Sequence, residues 1–263
     1  MTRLRRSLFL SIAVLAAVVL VAAGCGDDDE GGGGGGGNVP ASLTVGSDIP
    51  YPPFEFGKPP YQGFDVDVVN KIAERLGTKA TFRKTPFDTI FRDLAQGKFD
   101  MVASATTITP ERAKEVDFTE SYFPADQSLM VKNGSDIKTV DDVAGKVIGA
   151  QLGTTGAAYA KDKTNAKSVR TYDLIDDAFN ALEAGQIQAV INDCPVSKYA
   201  ERAHKNLVVV QAIQTNEEYG FALPKGSDLV DSFNKEIADM KDNGELEQIS
   251  LKWFKGDPCK LHD

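Results

Sequence analysis

Hydroxyl side chains and one guanidinium lie close together in the stretch SATTITPERAKEVDFTESYF, residues 104–123. The hydroxyl residues at its start are Ser104, Thr106, Thr107 and Thr109. They follow an apolar run typical of a buried strand, and Arg112 comes shortly after them. Hydroxyls and free amides beside a guanidinium can hold a carboxylate through two hydrogen bonds. From the residues alone, helix capping by Thr109 beside a solvated Arg112 is an equally good interpretation.

A second polar turn, Gly153-Thr154-Thr155-Gly156, follows the strand pattern KVIGAQ. Glycines let the backbone approach a ligand, and the N-terminus of a following helix offers unpaired N–H groups to an anion. The turn lacks the GxxxxGK[ST] pattern of a P-loop. Taken alone, it is better interpreted as an ordinary strand–helix turn with a threonine cap.

Two acidic residues are predicted at strand ends. Asp48 follows the strand LTVGS, and Asp193 ends the strand AVIND just before Pro195. Strand ends are where ligands bind in α/β sheets, so either carboxylate could meet an ammonium group. Asp193 could as easily cap the next turn.

Aromatic residues lie near the same strand ends, in SDIPYPPFEF and TPFDTIF. Tyr51, Phe54 and Phe87 could offer ring faces to flat or cationic groups. For Phe54 and Phe87, a place in the hydrophobic core is the simpler interpretation.

Strand patterns alternate with helical patterns through the body of the chain. Residues 63–77 form an amphipathic helix pattern in which Val69 and Ile72 lie at helical spacing and Gly77 marks the end. Further helices are predicted over DTIFRDLAQGK and over residues 156–162, 174–184, 227–243 and 245–253. Strands are predicted over LTVGS, KATFRKT, FDMVAS, KVIGAQ, SVRTY, AVIND and NLVVVQ. The alternation predicts an α/β protein with largely parallel sheet.

The N-terminus, MTRLRRSLFLSIAVLAAVVLVAAGC, has a basic start, an apolar run and small residues before Cys25. It indicates a secretory signal peptide over residues 1–24, and the alternative is an uncleaved membrane anchor, for which the run is short. Residues 21–25 resemble a bacterial lipobox, in which the cysteine is acylated. We therefore expect Cys25 to tether the protein to the outside of a membrane, with residues 25–40 as an acidic and glycine-rich linker.

Charge argues against nucleic acid as a partner. The whole chain has a net charge of −9, and loss of residues 1–24 removes three arginines, which leaves −12. Such a body has no electrostatic attraction for phosphates or anionic lipid.

Cys194 and Cys259 remain once Cys25 is acylated, and in an oxidising compartment we expect them to form a disulfide. The alternative is two unrelated thiols. His204 and His262 are the only histidines of the sequence, so neither a metal nor another cofactor is expected.

The order of these motifs resembles one family. GFDVDVV, TTITPERAKEVDFTESYF, the Gly-Thr-Thr turn, AVIND and EEYGFALPKGSDL follow one another as in the polar amino-acid-binding proteins of bacterial ABC transporters. Glutamine-binding, histidine-binding and lysine/arginine/ornithine-binding proteins are examples. The resemblance covers roughly residues 43–258.

The resemblance implies a periplasmic-binding-protein-like fold of two α/β lobes joined by two crossover strands. The first lobe would contain residues 41–123 and 219–263, and the second lobe residues 127–216. A hinge at about 124–126 and 217–218 would close the lobes over a ligand in the cleft.

The resemblance also implies roles for the polar residues. Arg112 would hold the α-carboxylate of a free amino acid with the backbone of Thr107 and Thr155. Asp193 would hold the α-ammonium with the Ala105 carbonyl and the Thr107 hydroxyl. A zwitterion needs both charges paired once water leaves the cleft, so each contact favours closure.

For the ligand side chain, the resemblance implies a sandwich between Tyr51 and Phe87. Asp48 would meet its polar end, and Gln151 and Asn192 would form the opposite wall. Ser104 and Thr154 would complete the pocket, and Phe54 would lie behind it.

Two departures bear on the ligand. Glutamine-binding proteins often carry a lysine at the place of Gln151 and a histidine at that of Asn192, and basic binders share Asp48. The pocket therefore fits arginine, lysine, histidine or glutamine, and Asp48 would oppose an acidic side chain.

We expect a monomeric, extracytoplasmic receptor that delivers its ligand to an ABC permease. The alternative is an enzyme, since cyclohexadienyl dehydratases resemble these receptors. Such an enzyme needs a cleft acid with a raised pKa, and binding roles already account for Asp48 and Asp193. We therefore expect no catalytic residue.

Overall fold

The computed structural model describes residues 39–256 and residue 259. The predicted signal peptide (residues 1–24), the predicted lipidation site Cys25 and the linker up to residue 38 lie outside these residues. Within the described part, no helix has the length and apolar character that a membrane span requires.

Strands and helices alternate along the described residues. The strands are β1 (Leu43–Ser47), β2 (Ala80–Lys84), β3 (Met101–Val102), β4 (Val116–Phe118), β5 (Phe123–Pro124), β6 (Gln127–Lys132), β7 (Val147–Gln151), β8 (Ser168–Tyr172), β9 (Ala189–Asp193), β10 (Leu207–Ile213), β11 (Glu218–Tyr219) and β12 (Ala222–Pro224). The α-helices are α1 (Phe64–Arg75), α2 (Ile90–Ala95), α3 (Thr155–Asp162), α4 (Ile175–Glu183), α5 (Cys194–Ala200), α6 (Leu229–Asp242) and α7 (Glu245–Phe254). Short 3₁₀ turns lie at Phe87–Thr89, Arg112–Lys114 and Val140–Val143.

A five-stranded sheet with the order β2-β1-β3-β12-β4 organises what we call the first lobe. In this sheet β1 pairs in parallel with β2 and with β3. The strand β12 returns from late in the chain and pairs antiparallel with β3 and β4. The first lobe therefore combines an early and a late segment of the chain.

The second lobe is organised by a five-stranded sheet with the order β10-β6-β9-β7-β8. Here β7 pairs in parallel with β8 and β9, whereas β6 pairs antiparallel with β9 and β10. Both sheets are thus mixed, and the prediction of largely parallel sheet was wrong. The reason is that β6 and β12 enter their sheets directly from a crossover, in the direction opposite to the strands that helices connect.

The two crossovers run side by side. They contain β5 and β11, which pair antiparallel as a separate two-stranded sheet. Beside them, Oδ1 of Asp126 accepts hydrogen bonds from the backbone N–H groups of Thr215 and Asn216, at 2.9 and 2.7 Å. The two connections between the lobes are therefore held to each other.

Helix α1 shows how the sequence pattern determines the packing of the first lobe. Val69 and Ile72 are fully buried and share a core cluster with Leu43 of β1. Gly63, just before the helix, has a φ of 143°, and a Cβ there would lie 1.9 Å from the carbonyl oxygen of Phe54. The close approach of the chain at this point requires glycine.

Cys194 and Cys259 are not joined, contrary to the prediction. The Cys194 thiol is free and fully buried at the start of α5, where the backbone N–H of Cys194 donates to the backbone oxygen of Asp126 at 2.8 Å. Cys259 lines a groove beside the crossovers, with Phe64 and Leu246. A buried thiol packs as a small apolar side chain, and this accounts for Cys194 without a bridge.

Candidate functional site

Strand ends from the two lobes meet at one cavity. Asp48 follows β1 and Ser104 follows the neighbouring parallel strand β3, and the Asp48 N–H donates to Ser104 Oγ at 2.8 Å. In the second lobe, the parallel strands β7 and β9 end in Gln151 and Asp193. The cavity between these strand ends is small. It is lined by eleven of the twelve residues that the sequence predicts for a ligand pocket: Asp48, Tyr51, Phe87, Ser104, Ala105, Thr107, Arg112, Gln151, Thr154, Thr155 and Asp193.

The twelfth predicted residue, Asn192, is not among the residues that line the cavity, and its Oδ1 lies 3.1 Å from the Tyr51 hydroxyl oxygen. Phe54 lies behind Tyr51, with 6.5 Å between the ring centroids, and is fully buried. It packs edge-on against Phe64 and Phe123. Phe54 is therefore a core residue that supports the wall of the cavity.

Hydrogen bonds cross the cavity from one lobe to the other. The Tyr51 hydroxyl of the first lobe donates to Asp193 Oδ2 of the second at 2.5 Å. In the other direction, Nε2 of Gln151 donates to Asp48 Oδ2 at 2.5 Å. The two lobes are thus in contact, and the structure is a closed arrangement.

Arg112 connects the lobes at one end of the cavity. Its guanidinium donates to the backbone oxygen of Thr107 at 2.7 Å and to that of Gly153, across the cleft, at 3.2 Å. The backbone N–H of Arg112 donates to the Thr109 hydroxyl at 3.2 Å. Thr109 therefore caps the turn, as one interpretation of the sequence proposed, but Arg112 points into the cleft.

Two aromatic rings face the Arg112 guanidinium. Its central carbon lies 4.8 Å from the ring centre of Phe91 and 5.3 Å from that of Phe87. Burial lowers the pKa of Arg112 to about 10, and the charges of Asp193 and Glu217 oppose the change. The guanidinium is therefore cationic at neutral pH, and it faces both the rings and the cavity.

The Gly153-Thr154-Thr155-Gly156 turn brings the start of α3 to the cleft. Thr154 Oγ1 accepts from the Ala157 N–H at 3.1 Å, so this threonine caps the helix. Gly153 has a φ of 80°, and a Cβ there would lie 3.0 Å from Cα of Asp88 in the first lobe. Glycine at this position lets the backbones of the two lobes approach each other.

Asp193 accepts three hydrogen bonds. The donors are the hydroxyls of Tyr51 and Tyr219, at 2.5 and 2.6 Å, and Nε2 of Gln127, at 2.5 Å. Burial raises the pKa of Asp193 to about 6, the charge of Glu217 adds to the rise, and the hydrogen bonds oppose it. The Asp193 side chain makes no cap for α5, so its carboxylate faces the cleft.

Asp48 lies at the other end of the cavity and is 2 % exposed. Its Oδ1 has no hydrogen-bond partner among the described residues. Burial raises the pKa of Asp48 to about 6; Gln151 and Lys84 lower it, and the charges of Asp88 and Asp173 raise it further. This end of the cavity is therefore acidic and has a free acceptor.

Ala105 adopts a left-handed backbone conformation, with a φ of 44°. Asp65 holds it there by accepting the Ala105 N–H at 2.8 Å, and the Tyr122 hydroxyl donates to both Asp65 oxygens at 2.9 Å. Burial raises the pKa of Asp65 to about 7, and these hydrogen bonds oppose the rise. A non-glycine residue in this conformation is rare and marks a constrained position.

Four residues at the site were not predicted from the sequence: Phe91, Gln127, Glu217 and Tyr219. Gln127, Glu217 and Tyr219 lie in or beside the crossover strands, where strand or helix periodicity gives no indication of function. Phe91 lies four residues after Phe87 in the same helical stretch. That spacing puts both rings on one face and was the available signal.

Two α/β lobes that close over a polar cleft, with a cation at one end and carboxylates along it, define a solute-binding protein. The model of the family described as bacterial extracellular solute-binding proteins, family 3, matches residues 43–256. The chain belongs to this family.

Individual relatives agree with this assignment. The chain is 34% identical over 227 residues to the L-cystine-binding protein TcyJ of Escherichia coli (strain K12), with 83% of this chain and 85% of the relative covered. It is 35% identical over 214 residues to an arginine-binding periplasmic protein of Mannheimia haemolytica, with 78% and 88% covered. A solved structure of an ancestral arginine-binding protein bound to arginine matches with a TM-score of 0.78, at 36% identity, over 82% of this chain and 99% of that one.

The family assignment settles two predictions. The chain is a transport receptor and not an enzyme, because its relatives are solute-binding proteins. It acts outside the cytoplasm, as the family description states. The two-lobed α/β fold predicted from the motif order is confirmed by the solved structure of similar fold.

Proposed function

We propose that the protein binds a free L-amino acid in the interlobe cavity, with a preference for a cationic side chain such as that of arginine or lysine. The observation that carries the preference is the buried Asp48 carboxylate, whose Oδ1 has no partner within the described residues. A buried acceptor is costly when unpaired, and a guanidinium or ammonium group would satisfy it. The nearby acids Asp88 and Asp173 favour the same charge.

The opposite end of the cavity has the groups that a zwitterion needs. Arg112 would hold the α-carboxylate, with the backbone of Thr107 and Thr155. Asp193 would hold the α-ammonium, with the Ala105 carbonyl. Arg112 belongs to the first lobe and Asp193 to the second, so a ligand that pairs with both favours the closed arrangement.

The side walls fit the rest of the ligand. Tyr51 and Phe87 would flank its side chain, with Gln151 on the facing wall. Tyr51 and Gln151 now donate to the Asp193 and Asp48 carboxylates. A bound ligand would take over these acceptors, and its ammonium and cationic groups are stronger donors than a phenol or an amide.

We propose residues 124–126 and 217–218 as the hinge, because both crossovers pass there and pair as β5 and β11. The first lobe would then comprise residues 41–123 and 219–263, and the second lobe residues 127–216. The sheet membership of the described strands supports this division.

The receptor would deliver its ligand to an ABC permease as a monomer tethered through Cys25. The small residues before Cys25 and the glycine-rich stretch after it support the tether. A Cys25→Ala variant would be released from the membrane fraction or remain unprocessed; unchanged acylation and fractionation would reject the lipid anchor.

The raised pKa of Asp48 and Asp193 is a property that an acid catalyst also needs. Its main cause is burial in the closed cleft. A cationic group of the ligand beside each carboxylate would lower the pKa again. Binding therefore accounts for both residues.

Calorimetry on residues 26–263, with the twenty amino acids, ornithine, citrulline and L-cystine, tests the proposal. We expect the tightest binding for arginine or lysine, weaker binding for glutamine, and none for glutamate. Tight binding of glutamate or L-cystine alone would reject the cationic preference. Absence of binding to every compound would reject the amino-acid function.

A further inference from the structure

Glu217 joins both lobes to the crossover segment. Its Oε2 accepts the Thr107 hydroxyl of the first lobe at 2.9 Å and the Thr155 hydroxyl of the second lobe at 2.6 Å. Nε2 of Gln127 donates to the same oxygen at 3.3 Å. One carboxylate oxygen thus receives a hydrogen bond from each lobe.

These contacts require the closed arrangement. The hydroxyl oxygens of Thr107 and Thr155 lie 3.4 Å apart although they belong to different lobes. Rotation of one lobe about the crossovers would separate them, and Glu217 would then lose at least one of its two threonine donors. A contact that exists in one state and not in the other shifts the equilibrium between them.

The carboxylate also fixes the direction of the two hydroxyls. An ionised carboxylate accepts hydrogen bonds and cannot donate, so Thr107 and Thr155 must both donate to Glu217. The oxygen lone pairs of Thr107 then remain for a donor in the cavity, and an α-ammonium is such a donor. A neutral amide at position 217 would impose no such direction, because it can donate as well as accept.

We propose that Glu217 is an interlobe latch, which stabilises the closed state and orients the Thr107 hydroxyl to accept a hydrogen bond from the ligand ammonium. Glu217 is a positioning residue, since it acts through Thr107 and Thr155. The orientation of Thr107 toward an ammonium rests on the proposed function. The effect of Glu217 on closure does not.

The neighbouring residue Glu218 provides a matched control. It is exposed, and it pairs with Pro124 in the two-stranded sheet through its backbone. Its backbone oxygen accepts the Ile108 N–H at 2.9 Å, a contact that a side-chain change leaves in place. Glu218→Gln therefore removes the same charge from the next residue of the same crossover without altering the bonds to the threonines.

Calorimetry with arginine measures the effect on binding. We expect Glu217→Gln to weaken binding at least tenfold, and Glu218→Gln to stay within twofold of the unchanged protein. Thr155→Val removes the threonine donor of the second lobe. The double variant Thr155→Val/Glu217→Gln should therefore bind arginine about as tightly as the single variant that binds it more weakly. Equal effects of Glu217→Gln and Glu218→Gln, or strictly additive losses in the double variant, would overturn the latch.

Closure is measured separately, by distances between spin labels on the two lobes. We expect Glu217→Gln and Glu217→Ala to shift the population toward the open state relative to Glu218→Gln, with unchanged circular dichroism. Identical distance distributions in all four proteins would overturn the latch. If the unchanged protein bound no amino acid, the proposed function would fail, and the distances measured without ligand would still decide the latch.

Discussion

Nε2 of Gln151 in the second lobe donates a hydrogen bond to the Asp48 carboxylate of the first lobe at 2.5 Å. The same nitrogen also donates to the backbone oxygen of Asp173 at 3.0 Å. An amide therefore occupies one oxygen of Asp48, and the other oxygen is buried without a partner in the described part of the chain. Because of this geometry, we expect Asp48 to determine the selectivity of the pocket for the charge of the ligand side chain.

Replacing Asp48 by Asn should change the preference of the pocket. The substitution keeps the shape and removes the charge, so calorimetry should show a loss of at least tenfold for arginine and within threefold for glutamine. Losing a hydrogen bond to a charged group costs on the order of 2 kcal/mol, which corresponds to a loss of roughly thirtyfold for arginine.

Asp88→Asn is the control for Asp48→Asn. Asp88 is exposed, and its charge acts on Asp48 from outside the cavity lining. Its loss should weaken arginine binding no more than about threefold, since an exposed charge is screened by solvent. If Asp48→Asn lost equal affinity for arginine and for glutamine, Asp48 would maintain the shape of the pocket and would not select the ligand by its charge.

Binding should weaken in acid. Burial raises the pKa of both Asp48 and Asp193 to about 6, and a cationic group binds the ionised carboxylates. Below pH 6, protons compete with the ligand at each site. Between pH 7.5 and pH 5 the affinity should fall about tenfold for each carboxylate that the ligand contacts.

The two carboxylates can be separated by the choice of ligand. Arginine would contact both, so its affinity should fall roughly a hundredfold over this range, whereas glutamine should lose roughly tenfold through Asp193. In Asp48→Asn, the two ligands should show the same pH dependence. An affinity independent of pH down to 5 would contradict pairing of these carboxylates with cationic groups.

The stability of the protein without ligand has the opposite pH dependence. The pKa of each carboxylate is raised in the folded state, from 3.8 to about 6, so the folded state binds more protons than the unfolded state in this window. The stability that these two groups contribute is present below about pH 4 and is lost as the pH rises through about 6. Denaturant unfolding as a function of pH should show that Asp48→Asn lacks the pH-dependent stability that Asp48 contributes.

Arg112 should tolerate neither alanine nor lysine. Its guanidinium donates hydrogen bonds to the backbone of both lobes and lies near two aromatic rings. A lysine ammonium cannot reproduce that planar geometry. Arg112→Ala should weaken amino-acid binding by roughly a hundredfold or more, about 3 kcal/mol, and Arg112→Lys by at least tenfold. Binding within a few fold of the unchanged protein in calorimetry would contradict the carboxylate assignment.

The polar residues of the cavity could be predicted because they follow strands. A strand pattern fixes where a strand ends, and parallel pairing brings such ends to one edge, as it does for Asp48 and Ser104. Residue type then indicated the chemistry. The same reasoning could not choose between capping and binding for the threonines, because Thr154 caps a helix and still lines the cavity.

The crossover residues could not be predicted in the same way. Gln127 and Glu217 reach the site because the chain passes twice between the lobes, and this depends on tertiary packing that no local pattern encodes. The mixed sheets were missed for the same reason, since the direction of β6 and β12 follows from the crossovers. Asp65 lies in the motif GFDVDVV, from which only a helix was predicted. Its hydrogen bond with the N–H of Ala105 joins segments that are distant in the sequence, so no local pattern could predict it.

The last prediction concerns Gly63, the residue just before helix α1, which contains Asp65. Its φ of 143° is unfavourable for an L side chain, and a Cβ there would meet the Phe54 carbonyl oxygen at 1.9 Å, a contact with rigid backbone. Gly63→Ala should therefore lower the free energy of unfolding by at least about 3 kcal/mol. The control, Gly97→Ala, also has a positive φ, 73°, but no atom within 4 Å of the added Cβ.

Gly97→Ala should cost only about 1–2 kcal/mol, the ordinary penalty of a left-handed conformation. Because Gly63 begins the helix that carries Asp65, the folded fraction of Gly63→Ala should also bind arginine more weakly, whereas Gly97→Ala should bind normally. Denaturant unfolding measures the first difference and calorimetry the second. Equal destabilisation by the two variants would mean that the chain can move away from Phe54, and that the close approach at Gly63 does not hold Asp65 beneath the site.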